Sequence, residues 1–164
     1  MVPSARLAGP TTILVMNAHA TTAVLLIAHG SRHQPANQDL FDLAARLEAV
    51  GEAPIVEACF LELAPPDIPS GASRCVERGA SRILMVPYFL GMGVHLVRDL
   101  NEARRLLSES YPQVRFLLGP SLGPHPLLDE LVICRVRQLD RDPQVALTVA
   151  DGLTASFARL DGQH

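Results

Sequence analysis

The chain contains no lysine and no tryptophan, and aromatic residues make up only 4% of its 164 residues. All 14 basic residues are therefore arginines, whose forked guanidinium groups suit carboxylate ligands particularly well. The formal net charge of −3 excludes the strong positive field on which general nucleic-acid binding relies. Long apolar runs are also absent, because Pro, Gly, Arg or Asp interrupts each one before the roughly 20 residues that a membrane-spanning helix needs. We therefore expect neither a nucleic-acid nor a membrane partner.

Cysteine is scarce, and its spacing is uninformative for metal binding. Cys59, Cys75 and Cys134 are far apart and form no C-x-x-C pair, so the pattern indicates neither a disulfide framework nor a structural zinc or iron–sulfur site. A reducing cytoplasm is the expected location.

Several common site motifs are missing as well. There is no G-x-x-x-x-G-K-[ST] loop and no G-x-G-x-x-G after the first predicted strand, so nucleotide binding has no support. Ser31 and Ser121 lack the G-x-S-x-G context of a hydrolase nucleophile. No organic cofactor is expected.

Hydrophobic residues make up 48% of the chain, and this content together with the length of 164 residues predicts one compact domain. Short β-like runs alternate with helical patterns, which indicates βαβ units and a parallel sheet. The predicted strands are residues 23–28, 55–60, 82–88 and 114–118, and the predicted helices are residues 35–50, 67–78, 95–110 and 126–137. We expect an α/β fold: a single three-layer domain with a mainly parallel four-stranded sheet flanked by helices. The first and third strands are almost wholly apolar, so they should be central and covered on both faces.

The helical patterns also predict which side chains face the core. The predicted inward residues are Leu40, Leu43, Ala44 and Leu47 in the first helix; Ile68, Ala72, Cys75 and Val76 in the second; Leu96, Leu100, Ala103 and Leu107 in the third; and Leu127, Leu131 and Cys134 in the fourth.

Both ends of the chain differ from this pattern. Residues 1–22 are expected to be an extension that is disordered or results from a misassigned start, with translation beginning at Met16. Gly9 and Pro10 interrupt a weak resemblance to a signal peptide, so export is not expected. The domain should cover residues 23–139, followed by a tail over residues 140–164.

Ligands of open α/β sheets bind beyond the carboxyl ends of the strands, so the residues that follow each strand are the site candidates. His29 ends the first strand and precedes Gly30, which allows a sharp turn and a close approach. Glu62 follows the second strand, and His95 begins a helix, whose N-terminus disfavours a protonated ring. These residues offer an N,N,O set for an exchangeable divalent first-row metal ion. Each histidine could equally cap a helix or satisfy a loop carbonyl, and Glu62 could be a general base or a surface carboxylate.

The same loops hold basic side chains. Arg32, Arg98 and Arg135 could bind carboxylates bidentately, with Arg74, Arg104 and Arg105 as weaker candidates. His125 precedes Pro126 at a helix start, where a capping or loop role is favoured. His19, His33 and His164 receive no function from the residues alone.

The segments 25–32, 60–62, 86–90, 93–99 and 119–128, which include the sequence Ala28-His29-Gly30-Ser31-Arg32, closely resemble the small CbiX-type sirohydrochlorin chelatases. This resemblance implies insertion of Co²⁺, Fe²⁺ or Ni²⁺ into a tetrapyrrole without ATP, in cobalamin or sirohaem biosynthesis. It also implies that His29 and His95 bind the metal ion and accept protons, with Glu62 assisting.

The resemblance also directs attention to substrate binding. Arg32 and Arg98, with Ser31 and Gly93, are the candidates for binding sirohydrochlorin. His33 departs from the acidic or other polar residue of many relatives, which leaves its contribution open. Longer relatives contain two such halves, so a homodimer with a shared cleft, bounded by Leu- and Val-rich loop edges, is expected.

Two other functions use the same residues. A cytoplasmic metal carrier could bind a divalent ion through His29 and His95 without a macrocycle. A histidine-type phosphatase also has a strand that ends in His-Gly, but such enzymes place an arginine before the histidine, where this chain has Ala28.

Overall fold

The computed structural model describes residues 20–91 and 93–141, which form alternating strands and helices. In chain order these are β1 (Thr22–Ala28), α1 (Gln34–Ala49), β2 (Ile55–Phe60), α2 (Ile68–Glu77), β3 (Arg82–Pro87), α3 (Val94–Ser110), β4 (Arg115–Leu118) and α4 (Pro126–Arg141). Except at the end of α4, which runs four residues past its predicted end, each bound agrees with the predicted one or differs from it by one residue. The predicted extension and tail lie outside the described residues, apart from residues 20–22 and 140–141.

The four strands form one parallel sheet in the order β2-β1-β3-β4. The central position of β1 and β3 confirms the prediction from their apolar runs. Since parallel strands in one sheet all end at the same side, the loops after β1, β2 and β3 share one edge, which we call the carboxyl edge.

Two apolar clusters cover opposite faces of the sheet. On the first face, α2 and α3 pack over Leu25, Ile27, Ile83 and Met85, all of which are fully buried. On the second face, α1 packs mainly over β2, with Leu40 and Ala44 against Val56 and Ala58. Strand residues alternate between the two faces, as the pleat requires. The result is the predicted three-layer α/β domain.

The helix starts follow from their sequences. The carboxylate of Asp67 accepts a hydrogen bond from the backbone N–H of Ser70 at 2.9 Å, which caps α2. Hydrogen bonding to the side chain and to the backbone of Ser70 lowers the pKa of Asp67.

The core-facing residues predicted for the first three helices are buried or packed against the core. None of the described helices is long and apolar enough to cross a bilayer.

The prediction for the fourth helix is wrong. Leu127, Leu131 and Cys134 were expected to face inward, but α4 has no buried residue, and all three are exposed. No other described element makes extensive contact with α4. The periodicity identified an apolar helix correctly, but it could not show that the chain's own sheet leaves that helix without a partner.

The expectation that β3 is covered on both faces is also only half right. Its first-face residues are fully buried, whereas Leu84 and Val86 on the second face remain partly exposed. The reason is that α1 lies over β2 and β1, so the second face over β3 and β4 has no helix among the described elements.

Candidate functional site

The three sequence-predicted ligands lie at the carboxyl edge, two of them in loops and one at the start of a helix. His29 directly follows β1, Glu62 lies in the loop after β2, and His95 is the second residue of α3, which follows the β3 loop. Because β2, β1 and β3 are neighbours, these loops are neighbours too. All three side chains are exposed and therefore accessible to a ligand.

The loops that carry His29 and Glu62 are held together through the backbone. The N–H of Glu62 donates to the carbonyl of His29 at 3.0 Å, and the N–H of Leu61 donates to the carbonyl of Ala28 at 2.8 Å. Gly30 has φ of +92°, and a Cβ added there would lie 2.1 Å from the carbonyl oxygen of Glu62. Glycine is therefore required for the predicted sharp turn, and the group that approaches closely is the Glu62 backbone.

The loop after His29 is held by hydrogen bonds to Asn37, a residue that sequence reasoning missed. Asn37 is the only buried polar residue in the described part of the chain, and it is 2% exposed. Its Oδ1 accepts from the N–H of Ser31 at 2.9 Å, and its Nδ2 donates to the carbonyl of Ser31 at 2.8 Å. The signal was present in the sequence, because an amide occupies a position on the buried stripe of α1 that Leu40 and Ala44 continue.

Ser31 also orders the start of α1 through its side chain. Its Oγ accepts from the N–H of His33 at 3.0 Å, and His33 is the N-cap residue of α1 without a side-chain capping bond. The predicted substrate-binding residue Arg32 is exposed between them and forms no ion pair with any described residue.

On the other side of β1, the helix that carries His95 begins after Gly93, its N-cap residue. Arg98 follows one turn later; its side chain is 74% exposed, and its Nε lies 3.4 Å from Oδ1 of the neighbouring Asp99, which is long for an ion pair. An ion pair this exposed is weak, so Arg98 can exchange it for a ligand carboxylate.

Large apolar side chains surround these polar groups at the same edge, a feature that the site prediction did not include. These are Leu63 in the β2 loop, Tyr88 and Leu90 in the β3 loop, and Val94 at the start of α3, with exposed fractions from 44% to 85%. We call this set the apolar rim. Leu63 has φ of +60°, an unfavourable conformation for leucine, and the N–H of Ala64 donates to the carbonyl of Glu62 across it at 2.7 Å. The tight turn presents Leu63 next to Glu62.

The loop after β4 is hydrogen-bonded to the loop after β3 at the same edge. The N–H of Leu122 donates to the carbonyl of Phe89 at 3.0 Å, which joins this loop to the β3 loop. His125 Nδ1 accepts from the N–H of Leu127 at 3.2 Å. The favoured capping role of His125 is thereby confirmed, and this nitrogen is occupied.

In the described ranges, no three His, Cys, Asp or Glu side chains are grouped so that they could hold a metal ion together. His29, Glu62 and His95 thus share an edge without forming a ready-made three-ligand centre. The buried thiols are unsuited to metal binding, since burial raises the pKa of Cys75 to about 12 and raises that of Cys59 further, which keeps both protonated.

Comparison with known proteins gives this edge a context. The CbiX family model matches residues 23–139. A sirohydrochlorin ferrochelatase from Priestia megaterium is 35% identical over 120 residues, which cover 73% of this chain and 45% of that protein. The chain spans about half the length of such curated relatives.

Solved structures share the fold. The sirohydrochlorin chelatase SirB from Bacillus subtilis subspecies spizizenii, in complex with cobalt, superimposes with a TM-score of 0.67 at 31% identity, over 73% of this chain and 47% of that one. A CbiX protein from Marinobacter aquaeolei VT8 gives a TM-score of 0.63 at 26% identity, and the match covers 73% of this chain and 98% of that protein. With the family model matched over the whole folded region, this chain belongs to the CbiX family.

Proposed function

We propose that this protein inserts a divalent metal ion, cobalt or iron with nickel as a third candidate, into sirohydrochlorin without ATP. The observation that carries the proposal is that His29 and Glu62, in the loops after β1 and β2, and His95, at the start of α3, lie at the same edge of the sheet. The relatives support it, since one is named a sirohydrochlorin ferrochelatase and the SirB structure contains cobalt.

The chemistry requires three steps from these residues. The metal ion must lose water, reach the pyrrole nitrogens, and replace two N–H protons, which leave as H⁺. A neutral imidazole can bind a first-row metal ion weakly and can also accept a proton, so His29 and His95 suit both steps. Glu62 offers a carboxylate oxygen as a third ligand or as a proton acceptor. A site that bound the ion too strongly would retain it instead of passing it to the macrocycle, so weak, exchangeable ligands suit this reaction.

The apolar rim and the arginines suit the macrocycle. A tetrapyrrole has flat apolar faces and a periphery of carboxylates. The rim supplies exposed apolar surface at the edge that carries the histidines. Arg32 forms no ion pair with a described residue, and Arg98 can exchange its weak ion pair with Asp99, so both can bind carboxylates bidentately. Ser31, whose backbone is hydrogen-bonded to Asn37, and Gly93, the N-cap residue of α3, are the further candidates for contact with the macrocycle.

The test is an anaerobic absorption assay in which the full chain, sirohydrochlorin and Co²⁺, Fe²⁺ or Ni²⁺ are mixed. Insertion is followed through the spectral change of the tetrapyrrole. We expect acceleration over the protein-free rate with at least one metal ion. Metal binding without any acceleration would instead indicate the metal carrier.

Substitution of the two histidines tests whether they form the site of insertion. His29→Ala and His95→Ala should each lower the insertion rate at least about 100-fold, the scale of general acid–base and ligand contributions. The matched control is His125→Asn, which removes a histidine from the same edge and keeps a side chain able to cap α4. Near-wild-type rates in both alanine variants would show that the site lies elsewhere.

A homodimer is part of the proposal. The chain corresponds to about half of the ferrochelatase and of SirB, so two copies would together supply the same number of CbiX units as one such relative. A tetrapyrrole cleft bounded by two carboxyl edges follows from that arrangement. Light scattering that gives the mass of a single chain, with activity independent of protein concentration, would contradict it.

A further inference from the structure

The segment after His29 carries Arg32 but has little packing to hold it. Residues 32–36 are all exposed, and α1 first reaches the core at Asn37 and Leu40. A segment that buries no side chain gains no hydrophobic free energy from one particular conformation, so its hydrogen bonds decide how well it is ordered. Those bonds therefore determine how precisely Arg32 is presented at the carboxyl edge.

Asn37 is the fixed point to which this segment is attached. It lies on the buried stripe of α1 that continues with Leu40 and Ala44, which pack against β2. Its amide cannot be reversed, because Oδ1 must accept from the Ser31 N–H at 2.9 Å while Nδ2 donates to the Ser31 carbonyl at 2.8 Å. Two bonds from one buried amide to both backbone groups of Ser31 hold that residue in one orientation relative to α1.

Ser31 connects this amide to Arg32. Its Oγ accepts from the N–H of His33 at 3.0 Å, so Arg32 lies between two residues that are both held by hydrogen bonds. Arg32 itself takes part in none of the hydrogen bonds among the described residues. By contrast, the carbonyl of His29 accepts from the N–H of Glu62 at 3.0 Å, so His29 is held by the β2 loop independently of α1.

The order of this backbone matters because a guanidinium binds a carboxylate directionally. The two parallel N–H···O bonds form only when the fork of the guanidinium faces both carboxylate oxygens. If the backbone that carries Arg32 adopts several conformations, binding must first select one of them, and that ordering lowers the affinity.

We infer that Asn37 is a positioning residue for substrate binding, which fixes the Ser31 backbone and thereby holds Arg32 in place for a carboxylate of the macrocycle. This role rests on the proposed function, because it takes a tetrapyrrole with peripheral carboxylates as the ligand. Asn37 is 2% exposed, so it acts through Ser31 and Arg32 rather than by touching the substrate. It sets the affinity for sirohydrochlorin and leaves the metal-insertion step at the histidines unchanged.

Insertion kinetics of the full chain, with sirohydrochlorin as the varied substrate, test this role. Asn37→Leu removes both bonds to Ser31 and places an apolar side chain on the apolar stripe of α1. We expect the KM for sirohydrochlorin to rise about tenfold, the scale of one charge-assisted hydrogen bond, and the Kd from titration of metal-free protein to rise equally. The value of kcat should change by less than about twofold. A merely structural role would instead lower the amount of folded enzyme, and with it the apparent kcat, at unchanged KM.

Gln38→Leu is the matched control on the next residue of α1. The Gln38 amide is exposed and donates to Asp42 at 2.8 Å rather than to the loop, so this variant should keep the wild-type KM. If Asn37→Leu does not fold by circular dichroism, Asn37→Ala replaces it, because it only shortens the side chain. An unchanged KM in the folded Asn37 variant, or an equal rise in Gln38→Leu, would overturn the positioning role.

A double-mutant cycle tests whether the effect passes through Arg32. Arg32→Ala alone should raise the KM for sirohydrochlorin at least about tenfold. Because Asn37 acts through Arg32, Asn37→Leu/Arg32→Ala should have the KM of Arg32→Ala to within about twofold. Two independent effects would multiply to about 100-fold, and that result would refute the route through Arg32.

The wild type keeps this role distinguishable from the chelatase function. If it binds sirohydrochlorin without accelerating insertion, the chelatase function is contradicted, and the Kd values of the same variants still decide the role of Asn37. If it accelerates insertion while the Asn37 variant keeps the wild-type KM and Kd, the positioning role is overturned and the chelatase function stands. A wild type that neither binds sirohydrochlorin nor accelerates insertion contradicts both.

Discussion

Replacing Gly30 with alanine should destabilise the protein and separate the two loops that carry His29 and Glu62. An L-residue at φ of +92° is strained by about 1–2 kcal/mol. The new Cβ would lie 2.1 Å from the Glu62 carbonyl oxygen, so the loops must also move apart, and such overpacking typically costs about 1–3 kcal/mol. Alanine also reduces the conformational entropy of the unfolded chain, which by itself stabilises the folded state by about 0.4–1 kcal/mol. The net expectation is a loss of about 2–4 kcal/mol in the free energy of unfolding.

Gly79 provides a matched control. It has the same φ of +92°, and a Cβ added there would meet nothing within 4 Å. Gly79→Ala should therefore cost only about 1 kcal/mol, because it introduces the backbone strain without the steric contact. The difference between the two variants measures the contact between Gly30 and the Glu62 backbone.

Urea denaturation at one fixed protein concentration measures both variants, because the apparent stability of the proposed homodimer depends on concentration. Insertion assays on the folded fraction should show at least a tenfold loss for Gly30→Ala and none for Gly79→Ala. Equal destabilisation by the two substitutions would refute the steric argument. Full insertion activity in Gly30→Ala would show that the spacing of the two loops does not matter for the site.

Three further outcomes follow from the structure. Asn37→Ala leaves the N–H and the carbonyl of Ser31 unpaired and should lower the free energy of unfolding by about 2 kcal/mol in urea titrations; a loss under 0.5 kcal/mol would contradict this role. Arg78→Gln removes the hydrogen bonds from Arg78 to Glu48 and Glu57, the first of which lowers the pKa of Glu48, so the variant should lose about 0.5–1 kcal/mol at pH 7. These carboxylates contribute that stability when ionised, so the difference from the wild type should narrow as the pH falls through and below 4.5; a difference independent of pH would argue against the ion pairs. Leu63→Gly relieves the backbone strain at φ of +60° and should not destabilise the fold. It should raise the KM for sirohydrochlorin because it removes an apolar side chain of the rim, and an unchanged KM would show that Leu63 does not contribute to binding of the macrocycle.

Much of the fold was predictable because strands and helices produce local patterns of apolar residues, glycine and proline in the sequence. The apolar runs of β1 and β3 predicted the two central strands, and the Gly and Pro residues between periodic segments predicted the element bounds to within one residue, apart from the end of α4. Parallel topology then places His29, Glu62 and His95 at one edge, since the carboxyl ends of parallel strands meet there. Their placement follows from local sequence and topology alone.

The environment of those residues could not be predicted in the same way. The close approach of Gly30 to the Glu62 carbonyl depends on how the β1 and β2 loops meet, and these lie about 30 residues apart in the chain. An amide on the apolar stripe of α1 marked Asn37 as unusual, but the stripe could not show that its bonding partner is the Ser31 backbone, because a sequence position does not identify the groups that a buried amide meets.

Helix α4 shows the limit most clearly. Its sequence determined that it is a helix with apolar residues at regular spacing, since propensity and period are local properties. Only the tertiary structure decided that those residues, among them Leu131 and Val132, have no partner within the described fold. The physical reason is that hydrophobic burial is not directional: a pattern records that a surface must leave water, and the arrangement of the other elements decides which surface covers it.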